Sequence, residues 1–299
     1  YSSSSVMSDP MTVTHTVGLC ERLKASCCGI VLGAILFLGS FPLLFWNEQR
    51  AVNRYDALEE GQSQTITVSS FEIDPQNDGK LVHFTANVFN GGSNISDSLF
   101  GVGCSSKGIG GGGDCLSLER QTQMYQWKER SQTETKTNAG GSKTTTTTYT
   151  YETTWSNTII NSNTFHDQSA TYDNPSTMRF PSKQFVADPM MAGAYKLPSR
   201  IKTWFVKDTV PIDVTVSDIT DQSLREEAKP IYNTPGDGYY FGTGSESSPK
   251  IGDQKVWFAE TPPTDITVVG VQRGGTVAAF VSQTGKGGDV LLDRKSTRL

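Results

Sequence analysis

Histidine is scarce in this chain, with three copies in 299 residues, and most acid–base chemistry goes with it. His15, His83 and His166 stand far apart; no H-E-x-x-H signature occurs, and no G-x-S-x-G precedes a helix. A basic excess is also missing. Lys and Arg number 26 against 31 Asp and Glu, a net charge of −5, which excludes the field of a nucleic-acid binder. There are five cysteines, and only Cys104 and Cys115 fall beyond the first thirty residues. Two thiols complete no zinc site without histidine or further cysteine nearby. No catalytic, cofactor-binding or metal-ligating set is expected, and no cofactor or small-molecule substrate.

Three stretches imitate functional loops and fail on context. Gly108 to Gly113, "GIGGGG", has the spacing G-x-G-x-x-G, but "LFGVGCSSK" before it and "DCLSLERQ" after it do not make the strand-to-helix turn that a dinucleotide site needs. "GGSKT" lacks the glycine directly before Lys143 that a Walker loop requires. "DPQNDG" begins like a calcium loop, yet Thr85 stands where the bidentate glutamate belongs, so it reads as a turn.

What the chain does have is one long hydrophobic run. From Cys27 to Trp46 there is no charged side chain, over roughly the 20 residues that carry a helix across about 30 Å of hydrocarbon. About eleven of them are Leu, Ile, Val or Phe, contributing on the order of −3 to −7 kcal/mol towards insertion. Trp46 ends the run at interface depth. Apolar residues cover every face, unlike an amphipathic core helix, and "NEQRAVNRY" comes next in place of a small-residue cleavage site. The reading is a transmembrane helix over 27–46, preceded by a polar tail over 1–26 and continued by a helical extension over 47–61 that ends at Gly61. Gly29 and Gly33 form a G-x-x-x-G pair for helix packing. Cys27 and Cys28, at the membrane edge, are candidates for lipidation. Arg22 and Lys24 before the run and Arg50 and Arg54 after it leave the orientation unset by charge.

Beyond Gly61 the period changes to two. In "LVHFTANVF", Val82, Phe84, Ala86 and Val88 share one face while His83, Thr85 and Asn87 share the other. "QMYQWKER", "TYTYETTW", "PIDVTV", "QKVWFAE", "DITVVGV" and "TVAAFVSQ" read as further strands. A long hairpin over about 119–156 turns at "NAGG", and short helices are expected at "ADPMMAGAYK", capped by Asp188, and at "DQSLREEAK". The fold class is a membrane-anchored α+β chain, mainly β, with a β-rich domain over 62–293 and a basic end over 294–299 that reads as a truncation or scar. Cys104 and Cys115 bracket the glycine loop, and a bridge between them would stabilise an oxidised domain by roughly 2–3 kcal/mol. Asn94-Ile95-Ser96 is a glycosylation sequon. Tyr125, Trp127 and Trp155 are aromatic candidates for an interface.

Several words stand out in order: "SFPLLFWNEQRAV", "LEEGQSQTITV", "DGKLVHF", "QMYQWKE", "YETTWSNTIINSNTFHDQSATYDNPSTM" and "GDQKVWF". Together they resemble the transmembrane protein 43 (LUMA) family, from about residue 28 to the end. The resemblance implies a large lumenal domain after the first span, further spans at the C-terminus, and residence in the endoplasmic reticulum membrane and inner nuclear membrane. It implies a non-enzymatic scaffold that organises membrane protein complexes, associating with itself and with nuclear-envelope proteins such as emerin and lamins. It carries no catalytic residues to transfer. Gln49 stands where the family pattern has glycine, and the loop between Cys104 and Cys115 lies outside that pattern. The alternatives are a membrane-tethered enzyme, which the missing nucleophile–base and metal constellations disfavour, and a channel or transporter subunit, whose remaining spans would need to carry polar intramembrane residues.

Overall fold

The computed structural model describes residues 11–17, 19–104, 114–139, 141–232 and 236–281. The chain is mainly β. Its first half holds β1 (Met11–Val17), α1 (Leu19–Gln64), β2 (Ile66–Thr67), β3 (Leu81–Phe89), β4 (Ser96–Asp97), β5 (Val102–Gly103), β6 (Ser117–Thr137) and β7 (Lys143–Ser156). The second half holds β8 (Lys183–Val186), β9 (Met191–Ala192), β10 (Tyr195–Lys196), α2 (Ser199–Phe205), β11 (Val210–Ile212), α3 (Gln222–Glu227) and β12 (Lys229–Ile231). It ends with β13 (Gly238–Phe241), β14 (Gln254–Thr261), β15 (Thr264–Arg273) and β16 (Thr276–Ala278). The glycine run 108–113 and the basic end 294–299 lie outside the described residues.

The β-rich stretch is not one domain, as its composition suggested, but two compact units. One combines residues 1–48, 123–180 and 241–255; the other combines 49–122, 181–240 and 256–299.

In the first unit, β6 and β7 pair antiparallel from Met124↔Ser156 out to Thr137↔Lys143. The pairing begins at Met124 and not near 119, because Ser117–Arg120 pair with β8 instead. The tip is closed by Asn138, whose N–H donates to Ser142 O at 2.8 Å and whose side-chain amide donates to Ser142 Oγ and Thr144 Oγ1. Residues 131–137 are exposed, so the distal hairpin projects into solvent. The expected polar tail over 1–26 is corrected here. Met11–Val17 alternates β-branched residues and pairs along the outer edge of β7, from Met11↔Tyr149 to Val17↔Lys143, and α1 begins at Leu19. β-branched residues fit a pleated ladder better than a solvated tail.

In the second unit a six-stranded sheet is built on β3 and β15, which pair over eight rungs from Thr264↔Val88 to Val271↔Leu81. Val82, Phe84, Ala86 and Val88 are buried on one face of β3, while Thr85 and Asn87 reach solvent on the other. The phenol ring of Tyr195 stacks on Phe84 with centroids 4.4 Å apart. Around the first residues of β6 a second core forms, where Phe100 lies parallel to Tyr239 and edge-on to Phe258. Arg120 sits over the Phe100 ring and donates to Asp97 at 2.7 Å, both side chains being buried.

α1 runs three residues beyond the expected stop at Gly61. A Cβ at Gly61 would make ordinary contact with Phe280 at 3.4 Å and Leu81 at 3.5 Å, so the helix packs on protein at this glycine and is not capped there. The segment "ADPMMAGAYK" is also corrected, from helix to the β9–β10 turn. Met191 and Ala192 pair with Phe89 and Val88 of β3, and sheet pairing overrides local helical propensity. "DQSLREEAK" does hold a short helix, α3, with Asp221 accepting from Leu224 N.

The β9–β10 turn depends on Gly193. Its φ is +59°, and a Cβ there would sit 2.2 Å from the Ser70 carbonyl oxygen. Gly193→Ala is therefore expected to cost more than about 2 kcal/mol from left-handed strain and backbone collision. Chemical denaturation read by tryptophan fluorescence measures the loss; a variant within about 0.5 kcal/mol of the parent would refute the tight turn.

Candidate functional site

Two of the words that stand out in the sequence, "QMYQWKE" and "YETTWSNTIINSNTFHDQSATYDNPSTM", meet in the first unit. Gln126 is fully buried and works as a two-sided clasp: its Nε2 donates to Thr158 O at 2.9 Å, and its Oε1 accepts from Ile160 N at 2.8 Å. Asn174 does the same for the neighbouring loop. Its Oδ1 accepts from Trp127 N at 2.7 Å, and its Nδ2 donates to Trp127 O and Ile160 O at 2.9 and 3.1 Å. Ser162 Oγ completes the set by accepting from Asn174 N. These side chains satisfy backbone groups that no ladder reaches, which a buried irregular segment requires. Beside the clasp opens a cleft of about 520 Å³ bordered by Ile159, Asn161, Asn163, Asp173 and Ser176.

A second knot sits where the hairpin meets the loop 165–167. Tyr151 donates its hydroxyl to Glu129 Oε2 at 2.8 Å and accepts from Asp167 N, while His166 N donates to the same carboxylate oxygen. Tyr172 stacks on Tyr151 at 4.1 Å, and the His166 imidazole lies flat on Tyr149 at 4.3 Å. Burial, then the Glu129 carboxylate as hydrogen-bond acceptor, pushes the Tyr151 phenol up to about 12.

The aromatic candidates have partners inside the same unit. Tyr125 bonds Thr153 Oγ1 through its hydroxyl and packs against Trp155, Lys255 Nζ lies 4.8 Å over the Trp155 ring, and Trp127 meets Tyr172 edge-on. The histidines are not gathered into a site. His166 stacks on Tyr149, His15 pairs through its backbone with Thr145, and in the other unit His83 faces Thr67.

In the second unit Cys104 and Cys115 form a disulfide with Cα atoms 5.7 Å apart. Sequence spacing suggested that pair but carried no sign of Glu260, which reaches the same corner from β14. Its carboxylate and the two Sγ atoms all lie within 4.8 Å of one another. With the sulfurs joined to each other, the trio is not a thiolate donor set for a metal. Asn94 is exposed in the loop before β4, with Ile95 buried behind it.

On α1, the large apolar residues from Leu32 to Trp46 that are described are 56–73% exposed, and they occupy all faces. Gly29 and Gly33 are open: a Cβ at either meets nothing within 4 Å. The side chains of Cys27 and Cys28 lie outside the described residues. Among the described residues no helix is long and apolar enough to cross a membrane.

The class is a mainly β protein with one long helix whose large apolar residues from Leu32 to Trp46 are exposed. Comparison with known proteins gives the family. The Transmembrane protein 43 family profile matches residues 124–298. Human Transmembrane protein 43 is 29% identical over 306 residues, covering 98% of this chain and 70% of the human protein. The mouse protein is 28% identical with the same coverage, and the Drosophila melanogaster homolog is 26% identical over 279 residues, covering 92% of this chain and 68% of its own. No solved structure matches. The chain belongs to the Transmembrane protein 43 family of membrane proteins.

Two outcomes test the clasp and the knot. Asn174→Ala removes three hydrogen bonds to part-buried backbone and should cost about 2–4 kcal/mol, seen as a lower denaturation midpoint; an unchanged midpoint refutes the clasp. Because the folded phenol of Tyr151 titrates above its unfolded value of 10, its contribution is intact below pH 10 and fades as pH rises towards 12. Absorbance titration of the folded protein at 295 nm should therefore lose one late-titrating tyrosine in Tyr151→Phe.

Proposed function

We propose that this chain is a membrane protein of the endoplasmic reticulum and inner nuclear envelope. Residues 27–46 anchor it as a transmembrane helix, and its β-rich body acts from the lumenal side as a scaffold for membrane protein complexes. The observation that carries this is the apolar belt of α1. Leu32, Ile35, Leu36, Phe37, Leu38, Phe41, Leu43, Leu44, Phe45 and Trp46 are all more than half exposed, and lipid is the medium that covers such a surface. The described part of the belt, 32–46, is shorter than a bilayer; Cys27 to Val31 in the sequence complete the roughly 20 residues required.

Two features of the body favour the lumenal side. A disulfide persists in the lumen and not in the reducing cytosol, and the Asn94 sequon is presented on the surface, where glycosylation occurs in the same compartment. In this arrangement β1 precedes the span and β7 comes after it. We propose that the β1–β7 pairing separates when the span inserts, because the two strands then lie on opposite faces of the bilayer. Gly29 and Gly33 are available to a neighbouring helix, which fits self-association, and Cys27 and Cys28 fall at the membrane edge for acylation. Nuclear-envelope proteins of the emerin and lamin kind are the proposed partners, on family likeness.

Full-length protein translated into microsomes tests the reading. It should stay in the pellet after carbonate washing, its β-rich body should resist protease in intact vesicles, and Asn94→Gln should abolish a single glycan shift. Release of the chain by carbonate would refute the anchor, and digestion of the body in sealed vesicles would refute the lumenal side.

A further inference from the structure

We infer that the Cys104–Cys115 disulfide is an exchange site, which passes its bond to and from the thiols of client proteins, with Glu260 as the proton carrier for Cys115. The corner is asymmetric. Cys115 is completely buried, whereas Cys104 retains exposed surface. Exchange needs an incoming thiolate to reach one sulfur, and Cys104 is the one within reach. The buried sulfur has the carboxylate. Glu260 is only 8% exposed and lies within 4.8 Å of both sulfurs. Carboxylates seldom sit so deep. A dithiol that opens and closes can use a carboxylate there, because the buried thiol must lose its proton before it can attack.

The separation fits transfer through one bridging water. In the opening direction a client thiolate attacks Cys104 Sγ. The Cys104–Cys115 bond breaks, its electron pair leaves on Cys115 Sγ, and a proton arrives there by way of Glu260. A mixed disulfide joins the client to Cys104. A second client thiolate then attacks the client's own sulfur and expels Cys104 as thiolate, so the client gains a disulfide and the protein holds the dithiol. Two electrons and two protons have moved to the protein. In the closing direction Glu260 takes the Cys115 proton, and the Cys115 thiolate attacks Cys104 and releases the client. A client disulfide run backwards through these steps restores the bridge, so no further oxidant is needed for bond shuffling. Ile95 O lies 3.8 Å from Cys104 Sγ, so a carbonyl faces the attacked sulfur rather than the one that carries charge.

The test uses the full chain in detergent micelles at neutral pH with glutathione, quenched by acid and read by mass spectrometry. Millimolar reduced glutathione should open the disulfide of the folded protein without denaturant. With glutathione disulfide and peptide mapping, Cys115→Ser should carry glutathione on Cys104, and Cys104→Ser should carry none on Cys115. Glu260→Gln should slow closure of the bridge by about 10- to 100-fold, while attack on Cys104 changes by less than about two-fold. A bridge that opens only after denaturation, or closes in Glu260→Gln at the parent rate, would overturn the assignment. The first arm uses the unsubstituted protein, so it stands even if a variant fails to fold.

Discussion

The structure turns on one unsatisfied surface. Along α1 a continuous belt of aliphatic and aromatic side chains faces outward in every direction, and each fully exposed side chain of that size forgoes about 1.5–3 kcal/mol of burial. The same helix continues without a break into residues that do pack on protein, with Ala57 and Gly61 buried against the sheet of the second unit. Its apolar residues from Leu32 to Trp46 lie exposed, while its last turns reach Leu81 and Phe280.

The two β units solve a different problem. Their sequence is rich in Thr, Ser, Asn, Gln and Gly, and long stretches between strands have no regular partner. Buried amides take the place of ladders. Gln126 and Asn174 hold the loops around 158–162; Gln254 accepts from Phe180 N; Gln272 accepts from the Tyr195 hydroxyl and donates to Asp74 O. A glutamine or asparagine offers a donor and an acceptor on one rigid plane, so it can satisfy two backbone groups at once. This is how a chain with a modest apolar fraction orders so much loop. The cost is that each amide is specific to its site, because an orphaned backbone group left behind is worth about 1–3 kcal/mol.

Legibility in the sequence tracked the range of the interaction. The alternation of Val82, Phe84, Ala86 and Val88 is local, and those residues are the buried face of β3. Asp221 is a cap whose ligand is three residues away, and α3 begins there. Gly61 misleads because a glycine after a helical run is commonly a C-terminal cap, yet the helix runs on to Gln64 and packs beside Phe280, more than two hundred residues later. Asp188 and Pro189 carry a helix-start pattern, yet β3 claims Met191 and Ala192 for its edge. Glu260 had no signal at all. It sits in "QKVWFAE" as the polar end of a strand, 145 positions from Cys115, and nothing in a strand pattern marks a carboxylate that will lie beside a disulfide.

The amino-acid order alone determined the uncharged apolar run over 27–46, the mainly β character of the chain beyond it and the family, because all three rest on patterns within a few turns or rungs, or on words read in order. Tertiary structure alone decided that the β-rich stretch divides into two units, that Met11–Val17 forms a strand, that Gln126 and Asn174 are clasps, and that Glu260 joins the cystine. These depend on which distant backbone groups are left unpaired once the strands have formed, and chain closure over long separations leaves no periodic trace in the sequence.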